Sequence, residues 1–255
     1  MIILKRSTSD IWRVSDLLTN VKCYDIDSGG LEWAFKENPK LDVILHTAAS
    51  YGKKGSFSDL LIANICFSMK LLEYALQYKV RCFCYTDTKL DRFTSAYSLS
   101  KLQFAEWGKY VADNNKISFI DTRIEHMYGD MDDDNKFIPW VIKNCRDNVP
   151  YINLTLGEQK RDFIHVDDVV SAYEMILKEN KTGGYEKYEI GTGKTITIRH
   201  LVENIKEVIG ASTELRFGKM AYRLNETMES KANIEALVKL GWQAKMSIDD
   251  MISSL

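Results

Sequence analysis

No glycine precedes Gly29 in this 255-residue chain. That excludes a Gly-rich phosphate-binding turn from everything before it. Only three prolines occur, and none marks a clean boundary between domains. The cysteines (Cys23, Cys66, Cys82, Cys84 and Cys145) have no C-x-x-C spacing and are odd in number. Reduced thiols in a cytoplasmic protein are therefore expected rather than a disulfide framework. His46, His126, His165 and His200 lack metal-ligand spacing, so no metal is expected. No apolar run approaches the ~18 residues of a membrane helix, and no signal-peptide pattern is seen, so no membrane partner is expected. The net charge of -2 gives no basic field to recruit nucleic acid.

What is present alternates. Strands are predicted at Met1–Leu4, Val21–Tyr24, Val43–Thr47, Val80–Tyr85 and Ile117–Thr122. Between the later ones, Leu61, Ile65, Met69, Leu72 and Leu76 recur at helical steps. So do Leu99, Phe104, Trp107 and Val111, and a further helix is predicted near Ile138–Cys145. Strand, helix, strand in repetition predicts an α/β fold with a parallel sheet covered on both faces. The pattern changes after Phe137. Residues 1–136 read as the sheet domain and residues 137–255 mainly as a smaller lobe interleaved with it.

The sharpest chemical signal is "TSAYSLSKLQF". Tyr97 and Lys101 are four apart on a predicted helix and share one face. A phenol titrates near ~10 and is a poor acid-base group at neutral pH. A nearby ammonium can lower that value by ~1–3 units, which makes proton transfer to or from a hydroxyl feasible. The pair follows a strand, "RCFCYTDT", that ends in hydroxyls and a carboxylate, and catalytic groups of open α/β sheets gather at such ends.

Two other motifs carry less. "GTGKT" has Tyr188 where a Walker loop needs glycine, so it reads as a strand-to-helix turn. "DMDDD" lacks the glycine and distal glutamate of a calcium loop and reads as a solvated acidic loop. His165 is assigned a structural role, with a helix N-cap expected just after it.

Taken with "DVILHTAASYG", "NICFSMKLLEYA", "RIEHMYG", "GEQKRDFIHVDDVVSAY", "YEIGTGKTITIRHLVENI" and "YRLNETMESKANIEALVKLGW", the dyad makes the chain resemble the extended short-chain dehydrogenase/reductases. These are the NAD-dependent epimerases, dehydratases and ketoreductases of nucleotide sugars. The resemblance runs over nearly the whole sequence. "TDT", "SKLQFAEWGK" and "YGDMDDDNKF" are most similar to the abequose-synthase-like branch, whose members reduce a 4-keto-deoxyhexose on a nucleotide and serve lipopolysaccharide biosynthesis.

The resemblance implies roles. Tyr97 would be the acid-base group, and Lys101 its electrostatic partner and a ribose contact. Thr86 would hydrogen-bond the reacting oxygen, with Thr88 as the nearby alternative. Asp87 stands where the dehydratases keep a general acid, but the following residue is threonine where they have glutamate, which argues against dehydration. Asp25 and Ile26 would contact adenine. Thr47, Ala48 and Ala49 would line the cofactor, with Asn64 on the next helix. Arg161 and Arg223 would hold a substrate diphosphate, which suits the bidentate guanidinium. Tyr51 and His126 would face the sugar, although the family usually has asparagine at His126. Lys5 and Arg6 at the end of the first strand suit a 2′-phosphate, hence NADP rather than NAD; surface charge is the alternative.

The resemblance also implies that "MIILKRSTSD" is the second strand of a Rossmann-like sheet missing its first βα unit. About 25–30 residues bearing a Gly-rich turn are then expected before Met1. The partner expected is a nucleotide-diphosphate sugar and the assembly a homodimer. The activity expected is a 4-ketoreductase, with a 4-epimerase or a catalytically impaired relic as the alternatives.

Overall fold

A computed structural model describes residues 1–52, 55–179 and 183–253. In chain order its elements are β1 (Ile2–Lys5), β2 (Lys22–Asp25), α1 (Gly30–Glu37), β3 (Val43–His46), α2 (Phe57–Leu61), α3 (Phe67–Gln77), β4 (Cys82–Thr88), α4 (Ala96–Asn114) and β5 (Ser118–Ile124). There follow β6 (His126–Tyr128), α5 (Phe137–Arg146), β7 (Tyr151–Asn153), β8 (Lys160–Arg161), β9 (Phe163–His165), α6 (Val166–Lys178) and β10 (Gly184–Ile190). The chain continues with β11 (Ile196–Thr197), α7 (Ile198–Ile209), β12 (Glu214–Arg216), β13 (Glu229–Ser230), α8 (Glu235–Lys239) and α9 (Ile248–Ser253).

The chain divides into two compact units. The first comprises Met1–Tyr85, Gln103–Ile120 and Thr182–Glu186; the second comprises Thr86–Leu102, Asp121–Lys181 and Lys187–Leu255.

In the first unit β1 and β2 pair in parallel, from Ile2 opposite Lys22 to Lys5 opposite Asp25. β3 pairs in parallel with β4, from Val43 opposite Cys82 to His46 opposite Tyr85. β3 and β4 belong to a four-stranded sheet of order β10-β5-β4-β3, and no ladder joins β1 to β3 among the described residues. Leu45 of β3 is 46% exposed.

The core of this unit is aromatic. Phe83 stacks on Phe119 with ring centroids 5.5 Å apart, and Tyr85 meets Phe104 edge-on at 4.8 Å. Gly108 lets α4 lie close to this stack: a Cβ there would come within 2.1 Å of the Phe119 ring. The helix predicted across Leu61–Leu76 is interrupted by a π-helical turn at Ile62–Cys66, where one residue is inserted into the helical ladder.

The second unit has its own core, built from α5, α7, α9 and the short strands. In α7 the residues Ile198, Leu201, Val202 and Ile205 form one buried stripe. Each such side chain contributes ~1.5–3 kcal/mol when fully buried. β6 pairs in parallel with β9, and β7 with β12. β8 lies between β11, antiparallel to it, and β13, parallel to it. His165 is not followed by the helix cap, as expected, but is the cap itself: its Nδ1 accepts the Asp167 N–H at 3.2 Å.

Candidate active site

The catalytic candidates gather in the second unit. β4 continues three residues past the apolar run Val80–Tyr85, so Thr86, Asp87 and Thr88 form its polar end, as "RCFCYTDT" suggests. The entry of α4 is fixed by a reciprocal serine pair. The Ser98 N–H donates to Ser95 Oγ at 3.1 Å, and the Ser95 N–H donates to Ser98 Oγ at 3.0 Å. Such a box satisfies N–H groups that the first turn leaves orphaned. It sets Tyr97 in the first turn of α4 and Lys101 one turn on. Tyr97 is half-buried and Lys101 is buried.

Lys101 answers to two carboxylates. Burial draws its ammonium down, to about 8, while Asp87 and Asp121 pull the other way. Asp87 is pushed up to about 7, by burial first and then by the like charge of Asp121. The Thr88 N–H, donating to Asp87 Oδ1 at 2.7 Å, and the charges of Arg123 and Lys101 oppose that rise. Asp87 Oδ2 is buried without a hydrogen bond. Arg123 Nε stands 3.0 Å from Asp121 Oδ2 and 3.6 Å from Asp87 Oδ2. Asp87 and Lys101, with the charges of Asp121 and Arg123 beside them, thus form a site poised to exchange protons near neutrality. Thr86 lies at its edge, its Oγ1 2.5 Å from the Tyr173 hydroxyl.

Sequence reasoning missed Asp121, Thr122 and Tyr173. Asp121 had a signal: a carboxylate interrupting the apolar run of "ISFIDTRI". Tyr173 had none, because it sits on the apolar stripe of α6 with Val169, Ala172 and Ile176 and reads as core.

On the same unit, Arg161 is buried and its guanidinium meets the carboxylate of Glu226. The Glu226 N–H donates to the Arg223 carbonyl at 3.1 Å, so one turn carries both arginine candidates' neighbours, with Arg223 itself exposed. His126 Nδ1 lies 3.3 Å from Glu125 Oε2, and Glu125 is in turn held by the Ser230 hydroxyl at 2.8 Å. A cavity of about 550 Å³ lies elsewhere on this unit, lined by Tyr128, Ile138, Lys143, Arg146 and His165 among others; of the candidates it contains none.

The cofactor candidates other than Tyr97 and Lys101 lie in the first unit, in two groups. At the ends of β1 and β2, Lys5 Nζ is 3.6 Å from Asp25 Oδ2 and Arg6 Nε is 3.2 Å from Asp27 Oδ1. The Ser7 hydroxyl donates to Asp25 Oδ2 at 2.7 Å, the main cause of that carboxyl's lowered pKa. Asp25 also caps the 3-10 turn that begins with Ile26. An ammonium, a guanidinium, carboxylates and a hydroxyl thus stand together at the ends of β1 and β2. The second group follows β3. Thr47, Ala48 and Ala49 are exposed. Asn64, buried in the π-helical turn, holds the next residue by accepting the Ser50 N–H at 2.7 Å and donating to its carbonyl at 2.9 Å. Tyr51 beyond it is exposed.

A parallel sheet whose fourth strand leads into the Tyr97/Lys101 helix places the chain in the Rossmann-like class of folds. The profile of the NAD dependent epimerase/dehydratase family matches residues 2–191, and the chain belongs to that family of enzymes. It is 34% identical over 263 residues to a CDP-abequose synthase of Salmonella muenchen, across 100% of this chain and 88% of the relative. A second CDP-abequose synthase, from Salmonella typhimurium, is 36% identical over 226 residues, covering 83% of this chain and 76% of the relative. In fold the chain is similar to the UDP-glucose 4-epimerase of Thermotoga maritima, solved with UDP-glucose. The TM-score is 0.84 at 20% identity, over 99% of this chain and 88% of that one. No helix of the described residues is long and apolar enough to cross a membrane.

Proposed function

We propose that this chain is an NADP-linked 4-ketoreductase acting on a nucleotide-diphosphate 4-keto-deoxyhexose. The observation that carries the reading is the buried Lys101 on the helix of Tyr97, set among Asp87, Asp121 and Arg123. Its similarity to two CDP-abequose synthases supports the substrate class. When bound, the nicotinamide supplies hydride. The chain's own residues then have defined tasks. Tyr97 gives its phenolic proton to the oxygen that becomes a hydroxyl. Lys101 stabilises the phenolate left behind and contacts the cofactor ribose. Thr86 donates a hydrogen bond to the reacting oxygen, and Asp87 returns protons to the site.

Lys5 and Arg6 are assigned to a 2′-phosphate, Asp25 and Ile26 to the adenine side, and Thr47, Ala48, Ala49 and Asn64 to the loop lining the cofactor. Arg161 and Arg223 take the substrate diphosphate, and Tyr51 and His126 the sugar. Residues 137–255 act mainly as the substrate lobe, and the enzyme works as a cytoplasmic homodimer.

A 4-epimerase is the second reading, because the same Tyr/Lys chemistry serves it and the solved relative of similar fold is one. Net consumption separates the two. A reductase oxidises one NADPH for each CDP-linked 4-keto-sugar, followed by loss of reduced-nicotinamide absorbance. Interconversion of CDP-hexoses without net NADPH loss would support the epimerase instead. Neither reaction would leave a non-catalytic binding protein.

A further inference from the structure

The geometry points to Tyr173 as a positioning residue for Thr86, acting through a chain of three hydroxyls. The inference rests on the role proposed for Thr86. Tyr173 lies on the inward face of α6, 9% exposed. Its hydroxyl is 2.5 Å from Thr86 Oγ1 and 2.8 Å from Thr122 Oγ1. Thr86 is on β4 and Thr122 on β5, so a side chain from the helix bridges two strands at the catalytic end of one of them.

A buried phenol needs a partner, and one backbone carbonyl would ordinarily suffice. Two threonine hydroxyls are a different arrangement, because each partner carries a proton of its own. Tyr173 has one proton to give, and the Thr86–Tyr173 bond can run in either direction. If Thr86 donates inward to Tyr173, it offers a substrate only lone pairs. If Tyr173 donates to Thr86, the Thr86 proton is free to turn outward, toward the oxygen of a ketone being reduced.

Acidity selects the second direction. A phenol titrates near ~10 and is a far better hydrogen-bond donor than an alkyl hydroxyl. The shorter bond is the one to Thr86, as expected where the stronger donor acts. Thr122, fully buried, anchors the other side of the phenol oxygen. Tyr173 then donates to Thr86, and the polarised Thr86 hydroxyl turns its own proton toward the substrate. No proton is transferred; the effect is to orient the last one.

Tyr173→Phe keeps the ring and deletes both bonds. With NADPH and a CDP-linked 4-keto-sugar, kcat should fall about tenfold, the kinetic equivalent of one hydrogen bond, while KM stays within about twofold. In a Thr86→Val background the same substitution should change kcat by less than about twofold. Equal losses in both backgrounds would mean that Tyr173 acts on packing and not through Thr86, and would overturn the proposal. A second measurement needs no turnover. In protein labelled with ¹³C at tyrosine Cζ, Thr86→Val and Thr122→Val should each move the same single resonance. Two variants that move no common tyrosine signal would overturn the chain outright. Variants that shift the tyrosine signal as expected, beside a wild type that turns over no keto-sugar, would sink the reductase reading and leave the hydroxyl cluster standing.

Discussion

The guanidinium of Arg161 rests on the carboxylate of Glu226, and both side chains are largely buried. A carboxylate is a fair mimic of one phosphate oxygen pair, so Arg161 is already oriented as an anion receptor. Arg161→Ala should weaken binding of a nucleotide-diphosphate sugar by about ten- to a hundredfold, the range of a charged hydrogen bond. Free sugar should bind equally to both forms. Calorimetry showing one affinity for the nucleotide sugar in wild type and variant would remove Arg161 from the substrate site.

Tyr97 is the expected proton donor, and its ring is half-buried. Tyr97→Phe should reduce turnover by ~10²–10⁴-fold, the usual contribution of general acid-base catalysis. The melting temperature should move little, because only a hydroxyl is lost. Steady-state kinetics beside a thermal melt decide this, and a variant with near-full rate would exclude Tyr97 from the mechanism.

How much of this was legible in the sequence depends on how far apart the partners lie. β4 and β5 announced themselves as apolar runs, yet both reach beyond them: Thr86–Thr88 and Arg123–Ile124 are polar or mixed but still pair within the sheet. Hydrogen-bond ladders do not stop where hydrophobicity does. The Tyr97/Lys101 spacing was readable because a helix makes it local. The Thr86–Tyr173 bond joins residues 87 positions apart, and nothing local in either segment signals it. The π-helical turn at Asn64 was invisible for a related reason. One inserted residue leaves apolar spacing still consistent with a helix.

Asp87 gives a pH dependence whose sign can be worked out. Its folded value, about 7, lies above its ordinary 3.8. Between those values the folded protein holds a proton that the unfolded chain has released, so stability falls as pH rises from about 4 to 7. Lys101 lies at about 8, below its ordinary 10.5, so the unfolded chain holds the extra proton between them and stability rises with pH there. The pair therefore contributes least between pH 7 and 8. Asp87→Asn removes the first limb. Its melting temperature relative to wild type should climb steadily between about pH 4 and 7. A difference that stays flat across that range would show that Asp87 is an ordinary carboxylate.

The cofactor preference turns on how Lys5 and Arg6 are already engaged. Their partners, Asp25 and Asp27, are carboxylates at distances of 3.6 and 3.2 Å, and Arg6 is mostly exposed. A carboxylate in this place by itself favours the 2′-hydroxyl of NAD, whereas the two cations favour the 2′-phosphate of NADP. Surface pairs of this kind are worth little, so they are easily exchanged. A phosphate monoester carries about −1.5 to −2 charges at neutral pH and can displace a single carboxylate from an exposed guanidinium. Arg6→Ala should then weaken binding of 2′,5′-ADP by about tenfold and leave 5′-ADP within about twofold, since one charged contact is lost from one ligand only. Asp27→Asn should act the other way and tighten 2′,5′-ADP by freeing the guanidinium. The wild-type preference should shrink as salt is added, as an exposed charge interaction must. Titration of both nucleotides against the three proteins tests this. Equal affinities for 2′,5′-ADP in all three would mean that Lys5 and Arg6 are only solvated charges at a strand end, and that any preference for NADP comes from elsewhere.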